Sequence, residues 1–441
     1  MKHSVQKIVA DNLCVGCGTC YSECPASAIT MIKRDVFVPL INADKCNDCG
    51  LCEFVCPGYH VDYKLFKSKT IGKAKNHPLI GTYIDIYLGH ARNHSVRFMG
   101  SSGGVITAVL MYALENEIID GALVVITSGI NPMIIIAKSS LELKESMGSK
   151  YIPVPLNVGL KEIINMDGRF AFVGLPCHLL GLNRFALLHP ILAKKIVLKL
   201  GLFCGRGFDY HYLYYVLKDL GIRPVSVRKI RFRGYGWPGK VFIDYASKGE
   251  NKELYVDYAR FGRYSGSYLF IPKRCLFCPD HTAELADISF GDAWLKEVRK
   301  VDSKGTSIIV TRSSTGNKIL LDAAKDGFIN ISNSSVNDVV RSQYLQLNFH
   351  KTSLEARQRI AKILGVKMPL INIGLINNEQ GSSPFFSTSL VLTQIIYGIS
   401  KKFGFSESFP KLIVRIWGFF HSLINIAESR RAIRVSVLQR R

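Results

Sequence analysis

Acidic residues are scarce in this chain: 34 Asp and Glu stand against 57 Lys and Arg, a formal net charge of +23. That balance admits nucleic acid, an anionic membrane face, acidic proteins or phosphate-bearing cofactors as partners, and composition does not choose among them. A recognisable module for reading nucleic acid is also missing, so nucleic acid is not expected. Before its first acid, Asp11, the chain has no apolar run, which argues against a secretory signal. Residues 381–400 carry no charge, but their Ser, Thr and Gln content argues against a spanning helix. With 48% hydrophobic and 21% charged residues the composition is that of a folded globular chain, and 441 residues suffice for two or three domains. Cysteine breaks the pattern of shortage. Twelve cysteines without a signal point to a reducing compartment, where thiolates bind metal rather than pair, and a cytoplasmic location is expected.

Eight of the twelve form two runs, C-V-G-C-G-T-C-Y-S-E-C-P from Cys14 and C-N-D-C-G-L-C-E-F-V-C-P from Cys46, repeating with a period of 32 residues. Both match the bacterial ferredoxin run C-x2-C-x2-C-x3-C-P, in which the fourth cysteine serves the other cluster. The expected ligand sets for two [4Fe–4S] clusters are therefore Cys14, Cys17, Cys20 and Cys56, and Cys46, Cys49, Cys52 and Cys24. Gly16, Gly18 and Gly50 let the backbone approach the inorganic sulfides. Zinc favours pairs of CxxC, and a disulfide framework suits short secreted chains, so neither matches this repeat. Each oxidised cubane with four thiolates carries about two negative charges, which tempers the formal basicity.

The expected fold class is an α+β ferredoxin-like two-cluster domain, residues 1–62, then an α/β domain and a helical C-terminal tail. Residues 63–82 are lysine-rich and read as a linker. From 83 to 345, apolar strand-like runs alternate with helical stretches, predicting a largely parallel sheet. Its sites belong at the carboxyl ends of strands, where Cys177 and Cys204 fall. Residues 223–300 read as more antiparallel. The extension 346–441 is basic; from 351 onward it holds 14 Lys and Arg against 4 Asp and Glu. Ile413, Trp417, Phe420 and Ile424 fall near helical spacing there, a stripe suited to packing on the core or a partner, or to peripheral contact with an anionic membrane.

Removing the ferredoxin ligands leaves Cys177, Cys204, Cys275 and Cys278. Four is the number a third cluster or a structural zinc needs, and on spacing alone a cluster, zinc and plain buried thiols all stay open. At Ser101-Ser-Gly-Gly-Val-Ile-Thr, Gly148-Ser-Lys-Tyr, Val173-Gly-Leu-Pro-Cys-His, Leu202-Phe-Cys-Gly, Phe232-Arg-Gly-Tyr-Gly-Trp and the run from Cys275-Leu-Phe-Cys-Pro to Phe290-Gly-Asp-Ala-Trp, the chain resembles the coenzyme F420-reducing hydrogenase/dehydrogenase beta-subunit family, here joined to a two-cluster ferredoxin. The resemblance runs over about residues 85–300 and leaves the last ninety or so outside it.

The resemblance implies an iron–sulfur flavoprotein oxidoreductase containing FAD, its α/β domain an α/β flavin-type domain, with a third [4Fe–4S] cluster. It would take electrons from a ferredoxin-type donor or another redox partner protein and reduce or oxidise a small-molecule substrate. Similar proteins act on the deazaflavin F420 or on 7-hydroxymethyl chlorophyll a, or are associated with polysaccharide synthesis. The residues agree with that chemistry, because clusters move single electrons and a flavin converts them to hydride. Ser101, Ser102, Gly103 and Gly104 ahead of a helix form an expected anion cradle for a flavin or substrate phosphate, against the plainer reading of an ordinary helix cap. Lys150 and Tyr151 would add a cation and a stacking ring. Asp287 and Asp292 read as turn-capping or proton-handling groups, and His178 as a support for Cys177 rather than a ligand. The rival function is a non-catalytic electron-transfer or docking subunit.

Overall fold

A computed structural model describes residues 4–67, 74–372 and 384–402. An eight-stranded sheet occupies its centre, with strands numbered here in chain order: β1 (Ile86–Ala91), β2 (Gly121–Ser128), β3 (Asn131–Ala137), β4 (Phe170–Gly174), β5 (Ile196–Leu202), β6 (Ile288–Asp292), β7 (Ser307–Thr311) and β8 (Ile329–Asn333). The spatial order is β8-β1-β7-β6-β5-β4-β2-β3. Only the pairings β6–β5, β5–β4 and β4–β2 are parallel; the other four are antiparallel. The expectation of a largely parallel sheet is therefore corrected to a mixed one. At one edge the reason is local: Gly129-Ile130 is all that joins β2 to β3, and so short a loop can only return the chain antiparallel.

The parallel centre is buried on both faces, as its apolar runs require. Side chains alternate along β4, with Phe170 and Phe172 packing against Leu179, Leu180 and Phe185 on one face. Ala171 and Val173 face Val109, Leu198 and Ile288 on the other. A three-stranded antiparallel sheet, Val227–Arg231, Lys240–Ser247 and Glu250–Asp257, stands beside it and packs on the helix Tyr210–Asp219. This is the antiparallel stretch read from the sequence.

The ferredoxin unit is a hairpin, Ile29–Lys33 and Phe37–Ile41, with short helices Thr19–Glu23 and Leu51–Phe54 carrying cysteines. It is fastened to the body at several points. Asn157 Nδ2 donates to Thr19 Oγ1 (2.8 Å) and to the His178 carbonyl (3.0 Å). His60–Asp62 pairs in parallel with Leu370–Asn372. Within the expected linker, Lys75–His77 pairs with Gly81–Tyr83, and Arg312 donates to the carbonyls of Ile80 and Thr82.

Part of the basic extension also packs on the body. Both ring nitrogens of His350 lie 2.8 Å from carbonyl oxygens, those of Cys278 and Gly205. The Arg357 guanidinium donates to the Leu276 carbonyl at 2.7 Å. Helix Pro384–Lys402 is held by Gln394, which donates to the Tyr268 carbonyl, and by Tyr397, whose hydroxyl donates to Asp209. Among the described residues no helix is long and apolar enough to cross a membrane. The helical stripe at Ile413, Trp417, Phe420 and Ile424 lies outside the described residues.

Candidate redox site

The two innermost parallel strands deliver the first pair of lone cysteines. After β4 the chain passes Leu175 into the helix Pro176–Leu188, whose second residue is Cys177; proline at the first helical position suits that entry. After β5 comes Phe203-Cys204, pinned by backbone bonds from Phe203 to Phe290 and from Cys204 to His281, both 2.8 Å. Cys275 and Cys278 come from the 3-10 turn Lys273–Phe277 and the residue after it. All four line one cavity of about 460 Å3. Burial raises every one of these thiols, Cys275 to about 11 and Cys177 and Cys204 well above their usual range, and the charge of neighbouring cysteines adds to the effect in Cys177, Cys204 and Cys275. Unassisted, they stay protonated. Four soft sulfur donors that converge yet resist ionisation suit a metal centre, whose charge supplies the missing stabilisation of the thiolates. Among the described residues no three His, Cys, Asp or Glu are arranged to hold a single ion, the eight N-terminal cysteines included. Four thiols in the wall of one cavity are the number that either a four-iron cluster or a structural zinc takes.

Of the two expected ferredoxin sets, the structure gathers the first around a cavity. Cys14, Cys17, Cys20 and Cys56 surround one small cavity with Val5, Ile8, Met31 and Pro39. Amide hydrogens point at sulfur from Gly16 to Cys14 (3.4 Å), Gly58 to Cys56 (3.4 Å) and Ala28 to Cys24 (3.2 Å). Gly18, with φ +85°, carries the backbone past Val158, where an added Cβ would sit 2.6 Å from a methyl. Cys49, in the other set, is exposed. The two regions meet, since Val15 lines both the small cavity and the large one, and Cys17 lies close enough to Cys177 to raise its thiol.

The glycine–serine loop lines the same cavity as the cysteines. Gly103 and Gly104 take φ of +94° and +71°, and an added Cβ would meet Gly305 O at 2.9 Å and Val96 O at 2.4 Å, so only glycine fits. Gly104 caps the helix Val105–Glu115, and no side chain caps its first-turn amides. Neither serine does the work of an N-cap. Ser101 Oγ accepts from the Ser149 amide at 2.7 Å, and Ser102 Oγ lies 3.3 Å from Ser307 Oγ. Residues 104–107 line the cavity, which leaves that positive helix end turned toward it.

Three family comparisons bear on this arrangement. The model for the coenzyme F420 hydrogenase/dehydrogenase beta subunit N-terminus matches residues 86–161, and that for its C-terminus matches 167–336. Together they take in more than half of the chain. The chain belongs to the coenzyme F420 hydrogenase/dehydrogenase beta-subunit family. A 4Fe–4S dicluster domain matches residues 13–58.

Members of this family named by similarity include the coenzyme F420-dependent sulfite reductase of Methanocaldococcus jannaschii, 28% identical over 371 residues, covering 80% of this chain and 52% of that protein. The chain thus spans about half the length of that relative. The coenzyme F420 hydrogenase subunit beta of Methanothermobacter thermautotrophicus is 29% identical, over 56% of this chain and 84% of its own. A chain of the F420-reducing [NiFe] hydrogenase complex from Methanosarcina barkeri shares the fold, with a TM-score of 0.51 and 22% identity over 68% of this chain and 99% of that one.

Within the family-matched stretch, the remaining expected residues take different places. Lys150 and Tyr151 both line the cavity. Lys150 Nζ is already engaged, donating to the Gly148 carbonyl at 2.9 Å and to that of Ser146, while burial and nearby Arg231 lower its pKa to about 7. Tyr151 sits among Phe208, Phe232, Tyr258 and Phe261. Asp287 is structural, its carboxylate accepting from the Lys199 amide at 2.7 Å. His178 accepts from the Leu175 amide and contacts the Val154 carbonyl, which occupies both ring nitrogens.

Asp292 leads to the residue that sequence reading passed over. Its carboxylate accepts from Trp237 Nε1 at 2.6 Å and from Arg233 Nη2 at 3.0 Å. The Arg233 side chain is 2% exposed, lies over the Tyr258 ring, and donates to the Ser101 carbonyl at 2.6 Å. Burial opposes its charge, but Asp292 and the flanking tyrosines outweigh that and hold it above its usual value. Arg233 lies in the Phe232-Arg-Gly-Tyr-Gly-Trp run, the one signal that could have singled it out.

Proposed function

We propose that this chain is an iron–sulfur flavoprotein oxidoreductase. It takes electrons from a redox partner protein of ferredoxin type through the two N-terminal clusters, then through a third held by Cys177, Cys204, Cys275 and Cys278, to FAD and a small-molecule substrate. One observation carries the reading: a single cavity is lined by the four half-buried cysteines, by an uncapped helix start and by Val15 of the ferredoxin unit. A flavin bound there supplies the exchange between single electrons and hydride.

The chain's own residues would do the rest. The amides of Val105, Ile106 and Thr107 would receive a phosphate of the cofactor, and Arg233 would hold the Ser101 carbonyl in place beside them. The aromatic wall of Phe208, Tyr151, Tyr258 and Phe261 would exclude water. Cys49, the exposed cysteine of the other ferredoxin set, would mark where electrons enter. Several relatives are named for coenzyme F420, which makes a deazaflavin the first substrate class to try; a role near polysaccharide synthesis is the other context kept in view.

Anaerobic reconstitution tests this directly. About twelve irons and one FAD per chain are expected, from three four-iron cubanes. A chain that takes up iron but no flavin would count heavily against an enzyme and favour the non-catalytic electron-transfer subunit, since several relatives are named as subunits. Oxidation of reduced viologen by the isolated chain with F420 as acceptor separates the two.

A further inference from the structure

Arg274 is buried, 2% exposed, in the wall between the ferredoxin unit and the large cavity. Its Nε donates to the Gly58 carbonyl at 3.1 Å and its Nη2 to the Pro57 carbonyl at 3.2 Å, the two residues that follow Cys56. On its other side it is joined in sequence to Cys275 and hydrogen-bonds the Cys278 thiol, and its charge favours ionisation of Cys177, Cys275 and Cys278 alike. Among the described residues no carboxylate forms an ion pair with it. A buried guanidinium without an acid is costly unless an anion lies nearby. The anions this place provides are thiolates, four on each side once both cysteine sets are metallated.

We propose that Arg274 is the shared counter-ion of the two inner clusters, the one at Cys14, Cys17, Cys20 and Cys56 and the one at Cys177, Cys204, Cys275 and Cys278, and that it sets the reduction potentials of both. This rests on the placement of a third cluster proposed above. Arg274 is a positioning residue, not a ligand. Adding an electron makes a cluster more negative, so a fixed cation between the two stabilises each reduced state and raises both potentials. The outer cluster, at Cys24, Cys46, Cys49 and Cys52, lacks this contact and serves as an internal reference.

The test is a redox titration of the full reconstituted chain followed by electron paramagnetic resonance, with iron counted in parallel. Arg274→Gln, retaining about twelve irons, should lower both inner potentials by at least the 59 mV that corresponds to a tenfold change in a one-electron ratio, and leave the outer cluster where it was. Arg274→Lys keeps the charge and should stay within that tenfold window. A shift confined to one inner cluster, no shift, or equal shifts in the Lys and Gln variants overturns the proposal. If Arg274→Gln does not assemble, assembly of the Lys variant near wild-type potentials supports it, and equal failure of both overturns it. Wild-type protein with about eight irons refutes the third-cluster reading and the shared counter-ion with it, a failure seen in the iron count rather than in the potentials.

Discussion

Replacing Asp292 by asparagine should separate a built electrostatic support from a bystander. The substitution keeps the shape of the side chain and an oxygen that can still accept from Trp237, but removes the charge opposite Arg233. Breaking a buried ion pair by taking away one partner costs about 3–5 kcal/mol, because the other charge is left uncompensated. Arg233 is 2% exposed but Asp292 21%, so partial hydration puts the expected loss near the lower end, about 3 kcal/mol. At about 2–4 °C per kcal/mol for a large domain, the unfolding midpoint of the iron-loaded, flavin-free chain should fall by about 6–12 °C. Flavin affinity should fall as well, because the same guanidinium holds the Ser101 carbonyl beside the uncapped helix. A loss of about 1.4 kcal/mol there is tenfold in dissociation constant. Scanning calorimetry gives the first number and fluorescence titration with FAD the second. Asp292→Glu, which restores charge, should recover most of the stability. A midpoint within a degree or two of wild type in Asp292→Asn would refute the reasoning, since it would mean the Arg233 charge needs no partner.

Three further outcomes are expected. Cys275→Ser should remove about four irons and leave the ferredoxin signals intact, and loss of a single zinc instead would overturn the third cluster. Gly104→Ala forces a side chain into a φ of +71° and to 2.4 Å from the Val96 carbonyl, so flavin retention after gel filtration should be lost while the N-terminal eight irons remain. Asn157→Ala removes two hydrogen bonds that tie Thr19 and the Cys177 helix together, and should cost about 1–3 kcal/mol, at about 0.5–1.5 for each bond, since Thr19 Oγ1 keeps its contact with Cys17 Sγ. Limited proteolysis should then release the ferredoxin unit faster than from wild type; an unchanged rate would show that the docking lies elsewhere.

What could be read from the sequence had a covalent logic. The spacing C-x2-C-x2-C-x3-C-P is imposed by the object it wraps, so expecting Cys14, Cys17, Cys20 and Cys56 together, as the structure has them around one cavity, needs no knowledge of the rest of the fold. The positions after β4 and β5 were readable too, because apolar runs ending at Cys177 and Cys204 mark strand ends. Strand direction was not. Whether β7 runs with or against β6 is decided by contacts far apart in the chain, such as Ile308 beside Leu88, and apolar periodicity carries no direction. Arg233 and Arg274 were hidden for a related reason. In sequence an arginine resembles any of the chain's many exposed cations, and burial is a property of what surrounds it. The contact of His350 with the Cys278 and Gly205 loops was hidden likewise, because it comes from a stretch that reads only as basic.

The short parallel pairing of His60–Asp62 with Leu370–Asn372 changes the kinetics expected of the molecule. It joins the end of the ferredoxin unit to a segment some three hundred residues further on, so the carrier is clamped to the body rather than hung from a leash. A tethered shuttle delivers electrons at a rate set by linker length and the search for a docking pose. A clamped one has no search to make. If the chain works as proposed, transfer inside it should be first-order and indifferent to viscosity and ionic strength, and the salt dependence of turnover should reside wholly in the encounter with the donor at exposed Cys49.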